Sequence, residues 1–247
     1  MAQLLALRWG GSIALVATVS SAVVLAPLNS TMIAVALSPL AEDFEVTTGS
    51  AAWLIAAYLI VMAVGQPIAG RLGDVMGRRR LFIAGLLYFA VASALATTSW
   101  NFPSLVFFRV QQALGGALFM PNGMAALRSS LPSEIRGRAF GSLGAMIAVS
   151  AGIGPALGGA LVDSIGWRAL FWINLPIVVT ALALAFKCFP HDPASGRQGY
   201  TFDIPGAALL AGGLVAVMVA ATSLGKGSPN APPFIGAVLL AVALGIL

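Results

Sequence analysis

Long uninterrupted runs of apolar side chains are the feature that most restricts the fold of this 247-residue chain. A helix needs about 20 mainly apolar residues to cross the hydrocarbon core of a bilayer. Seven segments meet this requirement, and an eighth begins near Pro233 and is cut off at Leu247. In chain order the seven predicted membrane helices are Ile13–Val35, Ser50–Leu72, Leu81–Thr97, Pro103–Ala126, Ala139–Val162, Ala169–Phe186 and Ile204–Leu224.

The composition argues against a water-soluble globule. Hydrophobic residues make up 59% of the chain and charged residues only 9%, whereas soluble domains carry about 25% charged residues. A net charge of +5 would suggest nucleic-acid binding in a soluble protein. Here the basic residues lie in short loops between apolar segments, so we expect a lipid bilayer, and no nucleic acid, as a partner.

No pattern in the sequence indicates an enzyme. Cys188 is the single cysteine, so neither an intrachain disulfide nor a cysteine-based metal site is expected. The single histidine, His191, lies in a loop, which argues against a Ser/His/Asp triad. The sequence has no glycine-rich phosphate loop of the Walker type, which argues against an ATP-driven mechanism. We expect no enzymatic activity, no metal and no cofactor.

Basic residues in the connections predict the orientation of the chain. With the N-terminus in the cytoplasm, ten Lys and Arg residues lie on the cytoplasmic side and two on the outer side, a strong positive-inside asymmetry. We therefore predict a multi-pass protein of the plasma membrane with a cytoplasmic N-terminus. The ten are Arg8, Arg71, Arg78, Arg79, Arg80, Arg128, Arg136, Arg138, Lys187 and Arg197, and the two are Arg168 and Lys226.

The longest polar stretch, Pro190–Asp203, follows the sixth predicted helix and marks a boundary. We expect residues 1–189 to form a six-helix transmembrane bundle and residues 190–203 to form a cytoplasmic loop. Residues 204–247 would then hold two further helices, the last of them incomplete. Asp203 before Pro205 suits an N-cap followed by an early-turn proline.

A short pattern occurs twice in the chain. Gly70–Gly77 and Gly159–Gly166 both read G-x-L-x-D-x-x-G. The first ends the second predicted helix and the second ends the fifth, so the two face opposite sides of the membrane. Equivalent helices in opposite orientation indicate an inverted repeat of three plus three helices.

Five stretches, taken together, resemble motifs of the major facilitator superfamily. Gly70–Arg80 resembles motif A, Arg109–Gln112 resembles the R-x-x-Q of motif B, and Ser150–Gly159 resembles the antiporter motif C. Leu28–Leu37 and Trp167–Pro176 resemble first-helix and sixth-helix motifs of the drug:proton antiporters in the fourteen-helix branch. The resemblance covers essentially the whole chain. It implies an all-α membrane protein: the six-helix N-terminal half of a major facilitator fold, plus two helices that this branch inserts between its halves.

The motif A loop has both a gating and a topological interpretation. The loop must reverse tightly, which glycine allows, and the Asp74 carboxylate can sit at a helix N-terminus or pair with an arginine. The arginines can also anchor the loop to anionic lipid. Val75 stands where the family usually has a basic residue, so part of its charge network is in doubt. The resemblance implies that the following residues latch the cytoplasmic side: Gly70, Asp74, Gly77, Arg78 and Arg79.

Arg109 lies about one and a half turns inside the predicted fourth helix. A charge within the bilayer costs at least ~2.5 kcal/mol and usually marks a transport pathway or an ion pair. In the alternative interpretation the helix begins later and Arg109 reaches the outer interface. Gln112 lies one turn further on, on the same face.

Asn29 departs from the pattern of the exporter branch, which often has an aspartate at this position of the first helix. An amide cannot carry a proton, and Asp163 and Asp203 lie at the ends of predicted helices. Proton coupling would then need a carrier in a missing part of the protein, or a deeper position for Asp163 or Asp203.

Small residues at four-residue spacing form a flat strip on the fifth predicted helix, which allows close contact with another helix. Pro155 within this strip removes a backbone hydrogen bond and permits a kink. The resemblance implies a seal characteristic of exporters, and the alternative is generic helix packing. The residues concerned are Ser150, Gly154, Pro155, Gly158 and Gly159.

We expect a secondary active transporter that exports drugs or small amphipathic compounds by proton coupling. Its substrate would bind between two halves, so a chain holding one half is expected to be truncated and to need a missing C-terminal half. The alternatives are a specific metabolite or sugar carrier of the same fold, and a non-transporting remnant or scaffold. Motif C argues against an importer. The residues expected to face the cavity are Asn29, Arg109, Gln112, Tyr58 and Asn122.

Overall fold

The computed structural model describes residues 2–192 together with Gly206, Gly212 and Gly213, with side chains from Gly11 onward. The described part is helical and contains no strand. Predicted helices seven and eight lie outside it apart from those three glycines. In chain order the helices are α1 (Ala2–Val23), α2 (Leu25–Val35), α3 (Leu37–Asp43), α4 (Thr48–Ala51), α5 (Trp53–Met76), α6 (Arg78–Thr97), α7 (Phe102–Ser130), α8 (Ser133–Ile165), α9 (Ala169–Trp172) and α10 (Asn174–Cys188).

The all-helical membrane fold predicted from the apolar runs is confirmed. Five helical stretches in the described part are long and apolar enough to span a bilayer. The 29-residue helix α7 is longer than most of them but is not among the five, and it carries the polar residues Arg109, Gln111, Gln112 and Asn122. The five stretches are Gly11–Val35, Thr48–Met76, Arg78–Thr97, Ser133–Ile165 and Ala169–Cys188.

Prolines explain three of the helix breaks. Proline has no N–H to offer the carbonyl four residues earlier, and its ring crowds that carbonyl. Helices α1, α2 and α9 each end four residues before a proline, which is Pro27, Pro39 and Pro176 respectively. A proline does not always end a helix, because α8 continues through Pro155 as one helix from Ser133 to Ile165. The kink that Pro155 permits therefore does not interrupt α8.

Helices α6 and α7 approach each other closely because glycines face one another. A Cβ at Gly85 would lie 2.7 Å from the backbone nitrogen of Phe119, and one at Gly115 would lie 2.7 Å from that of Phe89. The rings of Phe89 and Phe119 pack edge to face beside this crossing, with centroids 5.7 Å apart. The crossing fixes α7 in the interior of the bundle.

Helices α5 and α8 are the least covered membrane spans in the described part. Only 22% of the α5 span and 11% of the α8 span is buried, against 50% for α6. Their outward faces carry large apolar side chains such as Leu59, Val149 and Ile153. These faces remain available to lipid or to further transmembrane segments.

Helix α6 runs antiparallel to α9 and α10. Helix α6 therefore begins at the end of the bundle where α10 ends, and it ends where α9 begins. Gly77 precedes α6 and Gly166 precedes α9, and both have positive φ, +106° and +88°. We call the two ends of the bundle the Gly77 end and the Gly166 end. The two glycines occupy the last position of the repeated sequence pattern.

Candidate functional site

Arg109 lies at the centre of a polar cluster inside the bundle. Its side chain is completely buried about two turns from the start of α7, so it does not reach an interface in this structure. Its Nη1 donates to the amide oxygens of Asn29 on α2 and of Gln112 on α7. Its Nε donates to the Leu54 carbonyl on α5 at 3.3 Å, and its guanidinium stacks 4.2 Å from the ring centre of Tyr58.

Gln112 extends the cluster to a fourth helix. Its Nε2 donates to the Ser93 hydroxyl on α6 at 2.6 Å, while its Oε1 accepts from Arg109. The hydrogen bonds therefore fix the orientation of the amide group. The cluster ties α2, α5, α6 and α7 together at one level of the bundle, and it includes four of the five residues expected to face a cavity.

The cluster contains more donors than acceptors. Arg109 Nη2, Asn29 Nδ2 and the Tyr58 hydroxyl are buried without a protein hydrogen-bond partner. All hydrogen-bond acceptors that contact the guanidinium are neutral, and neither ion pair in the described part involves Arg109. A buried charge without a counterion is costly, so this arrangement favours an anion.

Asn122, the fifth residue expected to face a cavity, lies about three turns further along α7. Its Nδ2 donates to the Ala69 carbonyl of α5 at 3.1 Å and to the Leu118 carbonyl of α7 at 2.7 Å. Its amide oxygen fills the space that a Cβ at Gly73 would need, and Gly70 lies against Pro121. Asn122 is buried between the two helices and explains why α5 carries glycine there.

Asp74 and Arg78 form an ion pair in the motif A loop. The Asp74 carboxylate accepts from Arg78 Nη2 at 2.8 Å and from Nε at 3.2 Å. Arg78 also donates from Nη1 to the Ala125 carbonyl of α7 at 3.0 Å. Of the two arrangements considered for Asp74, the structure shows the arginine pair. The pair links the end of α5 and the start of α6 to α7.

The carboxylate at the N-terminus of α6 belongs to Asp192. It accepts from the backbone N–H groups of Arg79 at 3.0 Å and of Arg80 at 3.2 Å, two groups that have no partner within the helix. Sequence reasoning missed this residue because more than a hundred positions separate it from α6. An acidic residue just after the sixth predicted helix was the one available signal.

Arg79 and Arg168 make equivalent contacts at opposite ends of the bundle. Arg79 at the start of α6 donates to the carbonyls of Phe186 and Phe189 at the end of α10, both at 2.9 Å. Arg168 just before α9 donates to the carbonyl of Thr97 at the end of α6, at 3.2 Å. Each arginine follows its positive-φ glycine by two residues. Each therefore caps the C-terminal end of the neighbouring antiparallel helix.

The Gly166 end also carries a polar link between α3 and α9. Trp167 Nε1 donates to the Asp43 carboxylate at 2.7 Å, and Arg168 lies 3.9 Å from the same carboxylate. The Arg168 guanidinium stacks 4.2 Å from the ring centre of Trp167. These contacts hold α3, which follows the first membrane span, against the start of the α9–α10 span.

The motif C strip packs on α2. A Cβ at Gly158 would lie 2.8 Å from the Met32 Cα, and one at Gly154 would meet Thr31 and lie 3.3 Å from the Leu28 carbonyl oxygen. Gly159 lies beside Val35, whereas Pro155 is exposed. Ser150 is half-buried and donates to the Met146 carbonyl of its own helix at 2.6 Å. The glycines bring α8 against the α2 segment that carries Asn29.

A cavity of about 600 Å³ lies away from the Arg109 cluster, at the Gly77 end. Its lining comes from α1, the α7–α8 connection and the end of α10, and it includes Leu15, Pro132, Glu134 and Cys188. We take the Arg109 cluster as the candidate functional site instead, because it holds a fully buried charge. Within the described ranges, no group of His, Cys, Asp and Glu residues could hold a metal ion.

Comparisons with known proteins agree with this architecture. The sequence model of the Major Facilitator Superfamily matches residues 19–247. An uncharacterized MFS-type transporter of Bacillus subtilis, YvkA, is 38% identical over 206 residues, which is 83% of this chain and 46% of that protein. The tetracenomycin C resistance and export protein of Streptomyces glaucescens is 33% identical over 228 residues, 91% of this chain and 42% of that protein. The chain thus spans a little less than half the length of these relatives.

A solved structure shows the same fold. The human organic anion transporter MFSD10 (TETRAN) superposes with a TM-score of 0.65, covering 85% of this chain and 55% of that protein. At 18% sequence identity, the similarity to that protein concerns the fold alone. The family match covers nearly the whole chain, and the fold agrees with it. The chain therefore belongs to the Major Facilitator Superfamily.

Proposed function

We propose that this chain is the N-terminal half of a secondary active transporter that exports small amphipathic compounds across the plasma membrane. The observation that carries the proposal is Arg109, a fully buried cation on a membrane-length helix. It contacts Asn29 of α2 and the Leu54 carbonyl and Tyr58 ring of α5 directly, and it is linked to Ser93 of α6 through Gln112. A bundle whose only task was to pack would gain more from apolar residues at these positions. The name of the S. glaucescens relative supports export rather than uptake.

The proposed mechanism needs a second half. Transporters of this class bind substrate between two bundles that rock against each other. The largely uncovered faces of α5 and α8 suit such an interface. The proposed site is the Arg109 cluster, which lies behind α5. The helix caps at both ends of α6 and at the end of α10 would keep this bundle rigid while it rocks.

Proton coupling would require a carrier outside the residues described. No Asp or Glu among them is buried, and Asp163 lies exposed two residues before the end of α8. The tyrosine and amides near Arg109 do not change charge within the physiological range. We therefore propose that a carboxylate elsewhere in the full-length protein carries the proton.

The test is transport driven by a pH gradient. Everted membrane vesicles containing the full-length gene product should accumulate a fluorescent amphipathic dye when their interior is acidified, and nigericin should abolish the accumulation. Vesicles without the protein provide the control. Unchanged accumulation after collapse of the gradient would contradict proton coupling. Transport of one tightly bound metabolite, with no transport of amphipathic dyes, would favour the specific carrier of the same fold.

A further inference from the structure

We infer that the Arg109 cluster binds an anionic group of the transported compound, such as a carboxylate. The inference rests on the proposed transport function and narrows its substrate class. It comes from two properties of the cluster that are independent of each other: its uncompensated charge, and its surplus of hydrogen-bond donors.

The uncompensated charge is the first property. Arg109 is always protonated under physiological conditions, and its side chain is fully buried. The Leu54 carbonyl and the amide oxygens of Asn29 and Gln112 orient the guanidinium but carry no charge. A water molecule could satisfy a donor but would not neutralise the cation. Only an anion supplies the electrostatic attraction that would offset the cost of burying this cation.

The surplus of donors is the second property. Both amide oxygens of the cluster face Nη1, so Asn29 presents its Nδ2 elsewhere. The buried groups without a protein partner are Arg109 Nη2, Asn29 Nδ2 and the Tyr58 hydroxyl, all of which donate hydrogen bonds. A carboxylate or sulfonate offers several acceptor lone pairs and a negative charge. An amine or quaternary ammonium group would leave every one of these donors unsatisfied and add a second positive charge.

The position of Tyr58 suggests the side from which such a group would enter. Tyr58 and Leu54 belong to α5, one of the least covered spans of the described bundle. The Tyr58 ring covers the guanidinium, and its hydroxyl would lie 3.5 Å from a Cβ at Gly116. Tyr58 and Leu54 are both buried, so they lie on the inward side of α5 and the cation lies behind this helix. In this proposal Tyr58 moves away from the guanidinium to admit the anion along α5.

Matched aromatic probes test the charge preference directly. The purified full-length protein would be titrated calorimetrically with 1-naphthoate, 1-naphthamide and 1-naphthylmethylammonium, which share a ring and differ in charge. We expect naphthoate to bind about 10- to 100-fold more tightly than the amide, the range of a charge-assisted hydrogen bond. Equal affinities for naphthoate and naphthamide would overturn the inference.

Variants of the cluster test the assignment to Arg109. Arg109→Gln should remove the naphthoate preference and Arg109→Lys should retain part of it, whereas exposed Arg80→Gln should leave it intact. Asn29→Asp gives a second test that does not remove Arg109. A carboxylate at position 29 would neutralise the guanidinium internally, so this variant should lose the naphthoate preference and denature at a higher temperature. A naphthoate preference that survives both Arg109→Gln and Asn29→Asp would contradict the assignment.

The same titrations separate the sources of the anion. If a carboxylate of the protein itself occupies the cluster, naphthoate and naphthamide will bind equally to the wild-type protein, which overturns a ligand site. Failure of the transport proposal looks different. In that case naphthoate binding would depend on Arg109, while vesicles containing the same protein would transport none of the probes.

Discussion

Arg79 and Arg168 secure the same pair of antiparallel helices from opposite ends. Arg79 at the start of α6 binds the last carbonyls of α10, and Arg168 just before α9 binds the last carbonyl of α6. The two arginines lie two residues after glycines that end the two copies of the repeated pattern. The two copies of the repeat therefore share a helix-capping contact as well as a sequence pattern.

Removing either cap should loosen the α6–α10 pair. Arg79→Gln is expected to cost about 1–3 kcal/mol, because two charge-assisted bonds to carbonyls are lost. Arg168→Gln should cost less, about 1 kcal/mol or below, because its side chain is half exposed. Thermal denaturation in detergent measures both, with exposed Arg80→Gln as the control. A larger loss for Arg168→Gln than for Arg79→Gln would contradict this ranking.

The two positive-φ glycines predict a second comparison. Alanine at either position strains the backbone by about 1–3 kcal/mol. A Cβ at Gly166 meets no atom within 4 Å, whereas one at Gly77 meets the Asp192 carboxylate, so Gly77→Ala should cost more. The measurement is the denaturation temperature of both variants.

The excess cost at Gly77 should depend on Asp192. When Asp192 is already alanine, Gly77→Ala should lower the stability only as much as Gly166→Ala does. The clash with the new methyl group and the loss of the helix cap both involve the Asp192 carboxylate, which this background lacks. If the two substitutions at Gly77 and Asp192 are simply additive, the carboxylate does not occupy that space.

The motif C strip offers a matched pair on one helix. Gly158→Ala places a methyl group against the Met32 backbone, where no side chain can move aside, and should cost about 1–3 kcal/mol by overpacking. Gly152→Ala meets nothing within 4 Å and should be neutral or slightly stabilising. Denaturation of the two variants side by side checks this. Equal stability of both would show that α2 and α8 do not pack as closely as described.

The orientation in the membrane can be tested with single cysteines. The native Cys188 is first replaced by serine, and cysteine is introduced at Arg80 near the Gly77 end or at exposed Trp100, which follows α6. A membrane-impermeant maleimide should label Trp100→Cys on intact cells and Arg80→Cys only after permeabilisation. The reverse pattern would overturn the cytoplasmic assignment of the N-terminus.

Five of the six predicted spans within residues 2–192 coincide with apolar helical stretches of the structure, but the predicted ends differ from the observed ones. Apolar runs reveal the part of a helix that lies in hydrocarbon, whereas helices continue into polar turns. The predicted span Ala139–Val162 is α8 from Ser133 to Ile165, because the turn holding Glu134 and Arg136 is helical but not apolar. The break between α1 and α2 within the first predicted span follows from Pro27, yet Pro155 causes none. Tertiary packing decides which prolines interrupt a helix.

The polar cluster could be anticipated only in part. A charge within an apolar run draws attention to Arg109, and helical spacing adds Gln112. Ser93 gave no signal, because serine is common in membrane helices and its partner lies on another helix. Asp192 could not be anticipated either, because the backbone groups that it binds lie at the start of α6, far away in the sequence. Contacts between helices far apart in the chain depend on rotation and depth, which apolar periodicity does not determine.

Dye efflux by cells expressing the full-length protein with Arg109→Ala tests most directly whether the buried cation takes part in transport. Efflux should fall to the level of cells lacking the transporter. Arg109→Lys should retain part of it and Arg80→Gln nearly all, at equal amounts of protein in the membrane. Unchanged efflux in Arg109→Ala would show that the buried cation takes no part in transport.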